Sequence, residues 1–246
     1  MRIAALALSL LASTATAQTC GGPVNAFIDG VKAEARAEGI PAQTIDAFFQ
    51  GAQIEQSVIN ADRSQGVFQR DFISFSRALI SQNRIDNGRA NGQRFDSTFD
   101  TIEARFGISR GVLLAFWAFE TDYGQVQGNF NTRNALLTLA HDCRRPNLFR
   151  PQLIAAIELY RQGGMNPSTT TGAWAGEIGQ LQKLPREIVR QGMDGDGDGV
   201  VDLKGSSPDA LMTGANVLSS LGWRANEPWL QEIVVPENLD WSTTGL

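Results

Sequence analysis

A single histidine, His141, and two cysteines, Cys20 and Cys143, are all that the 246 residues offer of either type. One histidine excludes a multi-histidine zinc centre, and a Ser-His-Asp triad would have to be built on His141 alone. No phosphate-binding P-loop occurs. His141, beside Asp142, reads as a packed or surface side chain. No basic run is present either. The 21 Lys and Arg stand against 26 Asp and Glu, a formal charge of −5, which argues against nucleic acid or an anionic membrane as partner. Beyond the first residues no stretch approaches the ~18 unbroken apolar residues of a transmembrane helix, so no integral membrane segment is expected in the mature chain.

The one apolar run is at the start. Arg2, then Ile3 to Leu11, then Ala15-Thr16-Ala17 make the charged, apolar and small-residue parts of a secretory signal peptide over residues 1–17. Residues 18–246 would then be an exported chain, long enough for one domain or one domain with a small subdomain. Its formal charge moves from −5 to −6 with the loss of Arg2. Gln18 and Thr19 before Cys20 are poor for a lipid-attachment box. Export leaves Cys20 and Cys143 either as two thiols or as a disulfide. An oxidising compartment favours the disulfide, which would staple the mature N-terminus to the body.

Helical periodicity dominates the rest. Val24, Phe27, Ile28 and Val31 share one face, Gly39 stops that helix and Pro41 starts the next. Residues 63–80 read as a linker followed by an amphipathic helix with Phe72, Phe75 and Leu79 on one side. Residues 95–108 and 109–124 read as an αα-hairpin, with an N-cap at Ser109 and a stop at Gly124. ALLTLAHD, FRPQLIAAIELYRQGG and PDALMTGANVLSSLGW add three helices. Period-2 alternation is scarce, so the fold class is mainly α, without repeats.

One carboxylate stands out. In AFWAFETDY, Glu120 shares a helical face with Leu113, Phe116 and Trp117. Partial burial raises a carboxyl's pKa, and the negative end of a helix does the same. Both favour a neutral, proton-donating group, which a general acid at a glycosidic oxygen requires. The plainer alternative is a Glu paired with a core Arg.

A second acidic group lies in DGDGDGVVD. Asp194, Asp196, Asp198 and Asp202 stand at positions 1, 3, 5 and 9 of an EF-hand-like loop, with Gly199 at 6 and the Val200 carbonyl at 7. Carboxylates so close repel one another without a cation, which favours a structural Ca2+ over a bare Asp-Gly turn. Position 12 is Gly205 rather than a bidentate Glu, so another residue must contribute or affinity is low.

Several of these stretches fall into one register. E-T-D-Y-G-x-x-x-G (120–128), N-A-L-L-T-L-A (134–140), Arg144-Arg145, G-A-W-A-G-E-I-G-Q-L-Q-x-L-P (172–185), D-G-D-G-D-G (194–199) and S-P-D-A-L…A-N-V-L-S-S-L-G-W (207–223) resemble the lytic murein transglycosylases of the B type. The likeness runs from about Phe72 to Glu232, with motifs in that family's order.

The resemblance implies a lysozyme-like core with a helical subdomain and the EF-hand-like loop. It implies a periplasmic enzyme that cleaves the MurNAc-β-1,4-GlcNAc bond of peptidoglycan and leaves a 1,6-anhydromuramoyl end. Glu120 aligns with the single acid, and no cofactor is implied for catalysis. Tyr123, Gln180 and Gln182, with Glu177, make up the expected substrate-binding set together with Arg144 and Arg145, which match a basic pair facing stem-peptide carboxylates.

Three positions depart from the family pattern: Ala173 replaces a common Ser, Glu177 a small residue and Lys183 an aromatic. Glu177 would raise the acid's pKa if close to it. The family's core also continues into a Tyr- and Asn-bearing segment that has no match before Leu246. Two other readings stay open: a noncatalytic or degenerate peptidoglycan-binding protein, and a muramidase that hydrolyses with water.

Overall fold

The computed structural model describes residues 20–64, 71–228, 230–240 and 242. The signal peptide expected over residues 1–17 lies outside the described residues, as does most of the linker after Arg63.

Eleven helices and one two-stranded ribbon make up the regular structure among the described residues. They are α1 (Val24–Ala37), α2 (Ala42–Phe49), α3 (Gln56–Arg63), α4 (Phe72–Leu79), α5 (Gln82–Arg94), α6 (Asp96–Phe106) and α7 (Arg110–Thr121). After them come β1 (Phe130–Asn131), α8 (Thr132–His141), α9 (Pro146–Arg161), β2 (Thr171–Gly172), α10 (Pro185–Gln191) and α11 (Ser207–Ser220). β1 and β2 pair antiparallel, Phe130 opposite Gly172 and Asn131 opposite Thr171.

Two apolar cores organise the chain. The first gathers side chains of α1, α2, α8 and α9, including Val31, Phe48, Leu136, Phe149 and Ile157. α8 is its axis, buried from Thr132 to Ala140. The second lies between α6, α7 and α11, around Phe99, Leu113, Trp117 and Leu211. The loop from Gly172 to Leu184 serves both, because Ala175 and Ile178 enter the first core and Leu181 enters the second. That shared loop faces the end of α7.

The breaks at Gly39 and Pro41 fall where the sequence places them, between α1 and α2. α6 and α7 form the expected hairpin, but α7 ends at Thr121 rather than Gly124, because Asp122 and Tyr123 already adopt left-handed backbone at φ 53° and 62°. Ser109 occupies the N-cap position of α7 without a side-chain cap bond. α4 buries none of its residues, and Phe72 is 77% exposed, so the expected apolar stripe is present without being covered among the described residues.

α3, α5 and α10 are not legible as periodic patterns. α5, QNRIDNGRANGQR, has almost no apolar face and buries only Gly88 and Gly92. Those glycines are where α7 and its C-terminal turn approach. A Cβ on Gly88 would lie 2.6 Å from the Tyr123 hydroxyl oxygen, and one on Gly92 3.3 Å from Leu114 Cδ1.

Cys20 and Cys143 form a disulfide, with Cα atoms 5.2 Å apart. The Gly21 amide donates to the His141 carbonyl at 2.7 Å, and His141 Nε2 lies 3.0 Å from the Gly22 carbonyl oxygen. The sole histidine therefore helps moor the start of the described chain against the end of α8.

Candidate active site

Glu120 is in the last turn of α7, whose inner face carries the buried Leu113, Trp117, Ala118 and Thr121. Of its three helical neighbours, Leu113 and Trp117 are buried, while Phe116 is 45% exposed and lines a cavity with Glu120. The cavity is about 130 Å3, its other walls formed by Leu181, Lys183 and Leu221 among others. Glu120 is open to solvent on one side and shielded on the other. Burial holds its carboxyl above the ordinary glutamate range, and the Lys183 charge pulls it back. A larger groove of about 430 Å3 runs along Val112, Ala115, Phe116 and Phe119 on the outer side of α7. No titratable group lines it.

Thr121 fixes Glu120 against the Gly172–Leu184 loop. Its hydroxyl donates to the Gln180 carbonyl at 2.6 Å and accepts from the Gly124 amide at 2.9 Å. Asp122 accepts from Arg84 Nε at 3.0 Å, and the Tyr123 hydroxyl donates to the Arg84 carbonyl at 2.7 Å. Tyr123 also packs edge-on against Trp117. The E-T-D-Y-G stretch therefore ties the acid to the loop on one side and to α5 on the other. Sequence reasoning passed over Thr121; its place directly after the acid was the available signal.

The loop itself is tightly determined. A Cβ on Gly172 would lie 1.9 Å from the Glu177 carbonyl oxygen, and one on Gly128 2.2 Å from the Gly172 carbonyl oxygen. Ile178 and Lys183 exchange backbone hydrogen bonds at 2.9 and 3.0 Å. Gln182, at φ 47°, donates from Nε2 to the carbonyls of Gly179 and Gln127 at 2.9 and 3.3 Å. Gln180 does not match the expected role of a sugar-binding amide. It is 5% exposed, accepts from Ser207 Oγ at 3.0 Å and donates to the Lys204 carbonyl at 3.4 Å. Its placement under Gly124 and against α11 turns it inward, so it supports the loop.

Glu177 is in the Gly172–Leu184 loop. Burial raises its carboxyl above the ordinary glutamate range; its own backbone amide is the main opposing influence, and the smaller effects of the Glu120 and Arg145 charges raise and lower it in turn. Its Oε2 is buried without a hydrogen-bond partner. Arg144 and Arg145, expected to face stem-peptide carboxylates, both pair with Asp62, which is 2% exposed. The Arg145 guanidinium also lies 4.9 Å from the Phe149 ring and 5.9 Å from the Trp174 ring. The outer parts of the two arginines stay accessible, but Asp62 commits one edge of each; nothing near it in the chain announces that pairing.

The acidic loop connects α10 to α11. Asp194, Asp196 and Asp209 bring one carboxylate oxygen each to within 4.8 Å of one another. This differs from the expected set of Asp194, Asp196, Asp198, Val200 and Asp202. Asp198 accepts from the Val200 amide at 2.8 Å, and Asp202 accepts from the Lys204 and Gly205 amides at 2.9 Å, so both carboxylates cap turns. Asp209, on α11, is buried and accepts from the Gly195 and Asp202 amides at 2.8 Å. Burial and the Asp196 charge raise its carboxyl, while those two amides lower it. The S-P-D stretch after the loop was its only trace in sequence. Three clustered carboxylate oxygens, one of them desolvated, are a donor set that suits a hard divalent cation.

With that geometry in place, the comparisons with known proteins fix the class. A family model described as a transglycosylase SLT domain matches residues 23–246, and the chain belongs to that family. The crystal structure of SltB3 from Pseudomonas aeruginosa in complex with NAG-anhNAM-pentapeptide superposes with a TM-score of 0.83 at 35% identity, over 90% of this chain and 59% of that one. The Escherichia coli lytic transglycosylase Slt35 in complex with calcium superposes at 0.73 and 22% identity, over 89% and 71%. The membrane-bound lytic murein transglycosylase B of Escherichia coli strain K12 is 24% identical over 153 residues, 62% of this chain and 42% of that protein. The chain thus spans about half the length of these first relatives. Its mainly helical fold is that of the lytic transglycosylases. Among the described residues no helix is long and apolar enough to cross a membrane.

Proposed function

We propose that this chain is a periplasmic lytic transglycosylase acting on the MurNAc-β-1,4-GlcNAc bond of peptidoglycan, with Glu120 as its single acid and base. The observation that carries this reading is a partly desolvated carboxyl at the cavity wall, pinned through Thr121 to the Gly-rich loop opposite. A raised carboxyl keeps its proton for the leaving glycosidic oxygen. As C1–O4 breaks, Glu120 becomes a carboxylate that takes the proton of the muramoyl 6-hydroxyl while O6 bonds to C1. The cycle returns Glu120 to its protonated form and consumes no water. The substrate's acetamido group can stabilise the intermediate, so a second carboxylate is not required. The anhydromuramoyl ligand bound by SltB3 supports this product.

Glu120→Gln keeps size and removes the transferable proton. It should abolish anhydromuropeptide release from sacculi while leaving sacculus binding and the circular dichroism spectrum intact. Mass spectrometry separates the readings, because the anhydro product is one water lighter than a hydrolytic one. A variant that still cleaves at a comparable rate would remove Glu120 from the mechanism. Intact wild-type protein that binds sacculi and releases nothing would favour a degenerate binding protein.

We also infer that Asp194, Asp196 and Asp209 hold a Ca2+ ion, in keeping with the calcium complex of Slt35. Its contribution there is to offset repulsion among the carboxylates.

A further inference from the structure

The backbone that follows Glu120 is forced. Asp122, Tyr123 and Gly124 take left-handed φ values of 53°, 62° and 85° in succession, although only the last is a glycine. Such backbone persists only where its surroundings over-determine it. Here Thr121, Gly124, Gln127, Gln180 and Lys204 close a ring of hydrogen bonds around the turn. The Gly124 amide donates to Thr121 Oγ1 at 2.9 Å, and that hydroxyl donates to the Gln180 carbonyl at 2.6 Å. Gln180 Nε2 donates to the Lys204 carbonyl at 3.4 Å. Gln127 Nε2 donates to the same carbonyl at 3.2 Å and closes the ring on the Gly124 carbonyl at 3.0 Å.

The ring is anchored away from the acid. Lys204 donates its amide to Asp202 Oδ1 at 2.9 Å and its Nζ to the Thr171 carbonyl at 3.0 Å. Gln180 donates its amide to the Leu203 carbonyl at 2.9 Å, and its Oε1 accepts from Ser207 Oγ at 3.0 Å. The same Oε1 fills the space beside Gly124, where a Cβ would lie 2.9 Å from it. A primary amide offers two N–H groups on one nitrogen, and Gln127 spends both across the ring. Neither glutamine lines the cavity that Glu120 shares with Phe116.

We propose that Gln127 and Gln180 are positioning residues that hold Glu120 through Thr121, by closing this ring around the turn that ends α7. This rests on the reading of Glu120 as the acid. Glu120 is joined to Thr121 by a peptide bond, so any slackening of the ring reaches the acid's own backbone. Misplacing a reacting group by about 1 Å can cost ~100-fold in rate. The ring's hydrogen bonds are all within the protein, so its loss falls on turnover rather than on substrate binding.

The test is steady-state cleavage of a soluble peptidoglycan fragment, with anhydro ends counted by mass spectrometry, for Gln127→Met, Gln180→Met, Thr121→Val and Thr121→Ser. Methionine keeps the length of glutamine and removes both its donors and its acceptor. In the first three variants kcat should fall by about 10- to 100-fold with KM unchanged. Thr121→Ser keeps the hydroxyl and should retain wild-type turnover. Gln127→Met combined with Thr121→Val should cost little more than the worse single change, because both open one ring. Unchanged kcat in folded Gln127→Met, a rise in KM alone, or a double variant that multiplies both losses would each overturn the proposal. Gln127 is half-buried, so its variant decides the matter should Gln180→Met fail to fold.

Amide hydrogen exchange supplies a readout independent of turnover. In Gln127→Met the Gly124 amide should lose protection, although its own acceptor, Thr121 Oγ1, is untouched. Protection equal to wild type would mean that Gln127 does not hold the turn, and the positioning role would fall. Absence of anhydro product from wild type would instead overturn the reading of Glu120 as the acid, while the exchange of Gly124 still decides whether the ring holds the turn.

Discussion

Glu120 and Glu177 both have carboxyls raised chiefly by burial, and this has a consequence for stability. A carboxyl raised by folding is protonated more readily in the folded chain than in the unfolded one. Its contribution to stability is full below the unfolded value, ~4.3 for Glu, and is lost as pH rises through the folded value. Glu177→Gln stays neutral throughout. Thermal unfolding should therefore give the variant the same melting temperature as wild type near pH ~4 and a higher one near pH ~8. A shift of equal size at both pH values would mean that ionising Glu177 costs nothing in the folded protein. The other large carboxylate site, Asp62, is buried against Arg144 and Arg145, whose outer parts remain in water.

At the level of elements, α5 is held to α7 by what it omits. Gly88 and Gly92 are poor helix formers, each costing about 1 kcal/mol relative to Ala in a helix interior. They are tolerated because Tyr123 and Leu114 occupy the space a side chain would take. Gly88→Ala should destabilise the protein despite its better propensity, since the Tyr123–Arg84 hydrogen bond must move. Gly111→Ala in α7, where a Cβ meets nothing within 4 Å, should stabilise it by up to about 1 kcal/mol. Urea unfolding of both variants checks the contrast, and shifts of the same sign would contradict it.

The α10–α11 loop carries a separate expectation. Ca2+ at one hundred times its Kd stabilises a one-site protein by about 2.7 kcal/mol. Millimolar Ca2+ should raise the melting temperature relative to chelator, and Asp194→Ala with Asp196→Ala should remove the response. Identical wild-type curves in Ca2+ and chelator would dismiss the ion.

For the whole molecule, the Cys20–Cys143 bond closes a loop across 123 residues of separation. It ties the segment before α1 to the chain after α8, next to the His141–Gly22 contact. A cross-link over so long a loop restricts the unfolded chain, and its loss costs about 2–5 kcal/mol in small exported domains. Reduction, or Cys20→Ser with Cys143→Ser, should lower the urea midpoint by a corresponding amount while Glu120 and its loop stay assembled. Coincident midpoints with and without reductant would show that the native contacts around α1 and α8 already hold that end.

The helices with a continuous apolar stripe, α1, α2, α6, α7, α8, α9 and α11, were readable because burial on one face leaves a 3.6-residue period in the chain. Glu120 was readable for a related reason: a charge at the edge of such a stripe is conspicuous, and its motif neighbours are adjacent in sequence. Position in the chain says which face of a helix is buried but not what it meets. That α5 is a helix, that Gln180 turns inward, that Asp62 holds both arginines and that Asp209 completes the acidic cluster all depend on residues distant in the chain. Those pairings were decided by packing of the two cores around a shared loop, because only there do desolvation and close approach fix where each polar group finds its partner.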